Sequence, residues 1–199
     1  MKRKGLYITG AVVGVVLLAV LLIVGSYNGL VSSRESVRTS LAKVQTQYQR
    51  RADLIPNLVS TVKGAANFEQ ETLTKVVDAR AKATQVTIDP SKATPEQIQQ
   101  YQQAQGELSQ ALSRLLAVAE NYPQLKATES FRDLQVQLEG TENRIAVARN
   151  DFNNAAKDHN TKVQRVPTNI VAKLFGFNTF PYFEAEKGTD AAPKVDFGN

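Results

Sequence analysis

The chain opens on a run without charge. After MKRK, residues 5–33 read GLYITGAVVGVVLLAVLLIVGSYNGLVSS. Leu6 to Val24 is 19 residues, which as a helix measures about 29 Å and matches a hydrocarbon core of about 30 Å. A secretory leader has only roughly 7 to 15 residues in its apolar region, so the run predicts an uncleaved membrane anchor over 5–26 rather than a leader cut near Val24-Gly25-Ser26. Tyr7 and Tyr27 bracket the run, where amphipathic rings suit the headgroup zone. Gly10 and Gly14 lie one turn apart within it, a spacing that lets two helix backbones approach and favours self-association.

From Leu30 onward the apolar positions recur every three or four residues. Val37, Leu41, Val44, Tyr48, Arg51, Ile55, Leu58, Val62 and Ala65 form one row, with Arg51 as its only polar member. The row keeps its phase through Pro56, which predicts one helix bent at the proline; the ring removes the bond to the carbonyl of Ala52. Gly64 and Asn67 mark the next boundary, with Asn67 as a cap and acidic residues in the turn that follows. A second helix then runs to about Val86, with Leu73, Val76, Val77 and Ala83 inward. IDPSKATP reads as a linker, and Thr94-Pro95-Glu96-Gln97 as a capping box that starts a third helix.

That third helix places Ile98, Tyr101, Gln105, Leu108, Leu112, Leu115, Ala119 and Tyr122 on one side and ends at Pro123. Thr128 is read as the cap of a fourth, whose row is Phe131, Leu134, Leu138, Thr141, Ile145, Ala148, Phe152, Ala155 and His159. Four such stripes joined by short connections predict an all-α fold. A transmembrane helix is followed by an antiparallel four-helix bundle of long helices over 27–165. Residues 166–199 form a C-terminal aromatic tail containing a short helix, Thr168 to Phe175, closed by Gly176. Phe175, Phe177, Phe180, Tyr182 and Phe183 crowd into this tail, so it packs on its own bundle, on a neighbouring subunit or on the membrane surface.

Composition narrows the chemistry. The absence of cysteine removes disulfides, thiolate metal sites and thiol nucleophiles, and the single histidine, His159, removes multi-histidine metal sites. His159 reads as a helix-end residue. The formal net charge is +5, but Lys2, Arg3 and Lys4 supply much of it. Charges of both signs interleave over the rest, which describes a solvated helical surface and no nucleic-acid partner. Positive charge directly before the apolar run favours a cytoplasmic N-terminus (1–4) and an exported body.

Carboxylates are available at Asp53, Glu69, Glu71, Asp78, Glu139, Glu142 and Asp151, but with no phosphate-cradling loop, nucleophile elbow or metal-ligand spacing around them. No catalytic, cofactor or metal residue is therefore expected. Arg50 and Asp53 are spaced to pair on one helix face. Glu142, Arg149 and Asp151 are placed to form an interhelical charge network with Arg50 or Arg51; Arg51, standing on an apolar row, needs a buried or shared partner, and an acid of the fourth helix is the candidate. Arg51, Gln105 and Thr141 are polar residues on apolar rows, where they can specify register between helices.

RRADLIPNLVSTVKG, ending at Gly64, and ENRIAVARNDFN, Glu142 to Asn153, resemble the bacterial LemA family. The resemblance runs from Tyr27-Asn28 through the Leu-Phe-Gly-Phe element to the Ala-Pro-Lys-Val-Asp-Phe ending, roughly 85% of the chain. It implies a bacterial protein with an N-terminal membrane helix, a helical-bundle body and no established enzymatic activity. Where many relatives carry tyrosine and histidine after Val-Lys-Gly, this chain has Ala65, Ala66 and Asn67, so a shared histidine site is not expected here. The ending from Ala192 to Phe197 is similar to that of Bacteroidetes relatives, which would place the body in the periplasm on a single-pass inner-membrane anchor.

The expectation is thus a non-enzymatic, membrane-anchored bundle acting as a homo-oligomeric envelope scaffold. An adaptor for another envelope protein, such as a membrane protease or a stress component, is the alternative, and a carboxylate hydrolase the remote one. The residues expected to carry structure or interaction are Gly10, Gly14, Arg50, Arg51, Asp53, Pro56, Glu142, Phe175, Phe177, Phe180 and Phe183.

Overall fold

A computed structural model of the chain describes residues 2–65, 68–90 and 93–184. These residues fold into six helices: α1 Lys2–Lys63, α2 Gln70–Gln85, α3 Pro95–Ala119, α4 Pro123–Lys126, α5 Glu129–Gln164 and α6 Thr168–Phe175. The membrane run and the first bundle helix are one element. α1 has 62 residues, roughly 93 Å at 1.5 Å per residue, and it crosses residues 26 and 27 without a break. Side chains from Gly10 to Gly25 are exposed all round, and the apolar window among them has no protein cover.

The bundle runs up, down, up and down. α1 and α5 are antiparallel partners along most of their shared length, as are α2 and α3. The cross-links Ser33–His159 and Arg51–Glu142 fix the direction of the first pair, and Gln105 reaching the Ala83 carbonyl together with Lys82 reaching Glu107 fixes the second. Three apolar layers follow one another along α1. The layer nearest the apolar run contains Leu30, Val171, Ala172 and Phe177. The middle one includes Val37, Leu41, Tyr48, Tyr101, Phe152 and Phe183. The far one includes Ile55, Leu58, Val62, Leu73, Leu112 and Phe131.

The expected rows are the buried rows, with two shifts. Val77 is exposed, and Thr72 and Ala79 take inward positions on α2; Val77 follows Val76 by about 100° around the helix and leaves the stripe. On α5, Ala156 rather than Ala155 is buried, because spacings of three and four both fit after Phe152. The helix starts are mixed. Thr94 and Gln97 form the full capping box. Thr128 stands at the start of α5 but makes no cap, since its hydroxyl donates back to the Leu125 carbonyl at 2.7 Å. α2 begins at Gln70 after Glu69; Asn67 lies outside the described residues, as does the Ala192–Phe197 ending.

α1 passes Pro56 as one helix. The carbonyl that the proline ring leaves without its helical donor, Ala52 O, accepts from Arg80 Nε of α2 at 2.9 Å. The interruption in α1 is thereby a point of attachment for α2.

The tail packs on its own bundle from Phe177 to Phe183. Asn153 of α5 donates to Phe183 O at 2.9 Å and accepts from Phe183 N at 2.7 Å. Asn160 does the same to Phe180, at 2.8 Å each way. The register has a simple origin: seven residues of helix rise about 10.5 Å, and three residues of extended chain span about 10 Å. Side-chain amides thus satisfy an extended backbone that has no strand beside it. Phe177 and Phe183 are buried and Phe180 half-buried, whereas Phe175 is exposed. Asn153→Ala is expected to raise the amide-exchange rate of Phe183 by about tenfold, the equivalent of about 1.4 kcal/mol, while amides near Leu58 keep their protection. Unchanged exchange at Phe183 would show that the ring contacts alone hold the tail.

Candidate functional site

The buried polar centre of the molecule lies between the middle and far apolar layers. Arg51 is 1% exposed, at a position on α1 where the helical period points it inward, and each helix of the bundle contributes to its surroundings. Its Nη1 donates to Ser109 Oγ of α3 at 2.6 Å and to Glu142 Oε1 of α5 at 2.7 Å. Its Nη2 donates to the Gln105 backbone carbonyl at 3.0 Å and to Gln105 Oε1 at 2.8 Å. Gln105 Nε2 passes the connection to Ala83 O of α2 at 3.1 Å. The guanidinium also lies over the Tyr48 ring, 5.1 Å from its centroid, and Tyr48 meets Tyr101 edge to face at 5.4 Å.

The chemistry available here is that of a fixed charge. Burial, reinforced by the neighbouring Tyr48, pushes the Tyr101 phenol well above its ordinary range against the pull of Arg51, so Tyr101 holds its proton. Among the described residues, Glu142, 45% exposed at its side chain, is the only carboxylate bonded to Arg51. Both Nη groups of Arg51 are spent on α3 and α5, and its buried Nε has no hydrogen-bond partner.

The other expected site residues are dispersed. Asp53 is exposed and accepts from Gln49 at 2.8 Å rather than from Arg50; Gln49 is one turn away and faces the same side. Arg149 lies away from Arg51, donating to Glu184 O and stacking over Phe183. Asp151 is exposed. Glu71 pairs with Lys75, Glu69 accepts from Thr72, and Glu139 accepts from Gln135. Among the described residues no group of three histidine, cysteine or acidic side chains is placed to hold a metal. Thr141 is buried but bonds Gln137 O of its own helix, whereas Arg51 and Gln105 make bonds between helices. Gly10 and Gly14 face open space, where an added Cβ would meet nothing within 4 Å.

His159 is no helix-end residue. It is buried within α5, five residues before Gln164, with Nδ1 2.9 Å from Ser33 Oγ of α1 and Nε2 3.1 Å from Asn178 O of the tail. Nε2 faces a carbonyl and therefore donates to it, while the single hydroxyl proton of Ser33 is divided between Nδ1 of the neutral ring and the Leu30 carbonyl, 3.0 Å from Oγ. Burial lowers its pKa below the ordinary value, the Asn178 carbonyl opposes this, and the positive Arg34 and Lys162 add to the lowering. The unfolded chain therefore binds the proton first as pH falls. This contribution to stability is present above about pH 6.5 and declines as pH drops through that value toward the lowered folded pKa. The melting temperature is expected to fall between pH 7 and 5, and to fall less in His159→Gln; equal falls in both proteins would assign the effect to carboxylates.

Arg80, Asn153 and Asn160 are not among the residues expected from the sequence. The only sequence signal for them is that Asn153 and Asn160 are seven apart beside the apolar row of α5.

An all-helical body continuous with one apolar helix, and braced across all four helices by a single buried arginine, defines a class of single-anchor bundle proteins. The family model described as "LemA family" matches residues 40–197, and the chain belongs to that family. It is similar to magnetosome protein MamQ 2 of Paramagnetospirillum magneticum, 26% identical over 181 residues that cover 82% of this chain and 66% of that protein. The magnetosome protein MamQ of Magnetospirillum gryphiswaldense is 25% identical over 185 residues with the same coverage. Protein LemA of Metamycoplasma hominis is 25% identical over 164 residues, which cover 82% of this chain and 71% of that protein. The chain thus spans just under two thirds of the length of the MamQ proteins. The motifs RRADLIPNLVSTVKG and ENRIAVARNDFN contain the Arg51 and Glu142 that meet in the structure.

Proposed function

We propose that the protein is a non-enzymatic scaffold of the bacterial envelope, held by one inner-membrane helix and assembled from copies of itself. The observation that carries this reading is the use made of Arg51. Among the described residues it is the most buried charge, bonded to three other side chains and to the backbone of α3, with no free acid or nucleophile beside it. Such a centre fixes the register of a rigid body. The open faces at Gly10 and Gly14 suit helix-to-helix association in lipid. Lys2, Arg3 and Lys4 favour a cytoplasmic N-terminus and a periplasmic bundle.

Mass measurement of the detergent-solubilised full chain tests the scaffold. Oligomers of defined size are expected, and a clean monomer both with and without residues 2–26 would leave the second reading, an adaptor for another envelope protein. That reading has its own support in an open groove of about 800 Å³ bordered by Gln45, Gln49, Arg50, Asp53 and Thr84.

A further inference from the structure

α6 buries one side and exposes the other. Val171 and Ala172 pack with Leu30 and Phe177, while Ile170 (67% exposed), Leu174 (73%) and Phe175 stand in the open, joined by Val166 just before the helix. Outside α1 and this end of the molecule, the large exposed apolar residues described are scattered singly, as Val77, Val136 and Val147 are. A cluster of this kind marks a surface that something covers.

Its position identifies the cover. The Phe175 ring meets Tyr27 edge to face at 4.9 Å, and Phe177 meets the same ring at 5.7 Å. Tyr27 and Leu30 follow the last residue of the apolar run, Val24, by three and six positions, or roughly 4.5 and 9 Å of helix. The headgroup layer on each side of a bilayer is roughly 5 to 8 Å thick. α6 is therefore held at the depth where acyl chains give way to headgroups. Lys162, Arg165 and Lys173, all exposed at this end, are long cations of the kind that reach lipid phosphates from such a depth.

We propose that the outward face of α6 lies on the lipid leaflet from which α1 emerges, with Ile170, Leu174 and Phe175 set into the boundary between headgroups and acyl chains. This rests on the reading of residues 5–26 as a membrane span. The bundle then touches the bilayer twice, through α1 and through α6, and the two contacts together fix its tilt and its rotation about the span.

The chain has no cysteine, so single-cysteine variants of the full-length protein take one nitroxide label each. Leu174→Cys and Ile170→Cys, reconstituted in phosphatidylcholine/phosphatidylglycerol nanodiscs, are compared with Val136→Cys on α5 and Leu17→Cys within the span. The ratio of collisions with oxygen to collisions with a water-soluble nickel complex is expected to be severalfold higher at positions 174 and 170 than at 136, and to approach that at 17. If 174 and 170 match 136 while 17 reports lipid, the α6 contact is overturned and the anchor stands. If 17 also reports water, the anchor reading fails and takes the contact with it. Low collision rates with both reagents at 174 and 170 would mean that protein covers this face, which also overturns the proposal.

Discussion

Glu142→Ala is expected to destabilise the bundle by about 3 kcal/mol, far more than the removal of a half-exposed carboxylate usually costs. The reason lies with its partner. Arg51 is 1% exposed and cannot retreat to water when its counter-ion is gone, so a buried positive charge is left with neutral acceptors only. The reverse change behaves differently. Arg51→Met removes the charge and roughly keeps the volume, and Glu142, already open to solvent, is simply hydrated; the loss falls to about 1 to 2 kcal/mol, mainly from the Gln105 acceptors left bare. In the Arg51→Met background, Glu142→Ala then adds little. Urea unfolding of the detergent-solubilised chain, followed by circular dichroism, measures all three variants. A Glu142→Ala protein within about 0.5 kcal/mol of the parent would mean that Ser109 and Gln105 suffice for Arg51, and that the ion pair is incidental.

The second large effect concerns Arg80. Arg80→Ala is expected to cost about 2 kcal/mol, because it strips the Ala52 carbonyl of its donor at the point where Pro56 has already removed the helical one. The proof is in the coupling. Pro56→Ala restores an N–H that can bond Ala52 O from within α1, so in that background Arg80→Ala should lose most of its cost. If the cost of Arg80→Ala is the same with proline and with alanine at 56, its role is packing between α1 and α2 and has nothing to do with the interrupted helix.

These two sites differ in how far the sequence foretells them. Arg51 announces itself as a charge on an otherwise apolar row, so an acid of α5 as its partner is legible from helical period and charge, whereas the choice of Glu142 over Asp151 depends on the height at which α5 stands against α1. The bonds of Arg51 to Ser109 and Gln105 are less legible, since they depend on the height at which α3 stands against α1. Arg80 leaves no mark: it is one of many cations on exposed helix faces, and its partner is a backbone atom, which every residue possesses. The buried rows follow from the same period, and they go astray only at Val77 and Ala155, where the choice between a step of three and a step of four decides which neighbour turns inward.

The tail shows the limit most plainly. Its aromatic residues demand cover, yet an extended segment has no period to reveal which surface supplies it, and bundle, neighbour and membrane stay equivalent in the sequence. Asn153 and Asn160 resolve this for Phe180 and Phe183 because amide side chains two helical turns apart match three residues of extended backbone. Phe175 belongs to a different case, since it leaves α6 on the exposed side. His159 misleads for a related reason: its distance from the end of α5 looks terminal, but the chain returns through Asn178 and covers it.

The unbroken α1 also ties azimuth to azimuth. A helix advances by about 100° per residue, so the bearing of the Gly10–Gly14 face relative to the Arg50–Asp53 face is set by the number of residues between them and by nothing else. Two copies meeting along their spans would present their bundles to each other at one dictated angle, as two cogs keyed to a shared shaft. A single residue inserted at Gly25, on the membrane side of the Tyr27 contacts with Phe175 and Phe177, would leave each half folded and turn one against the other by about 100°.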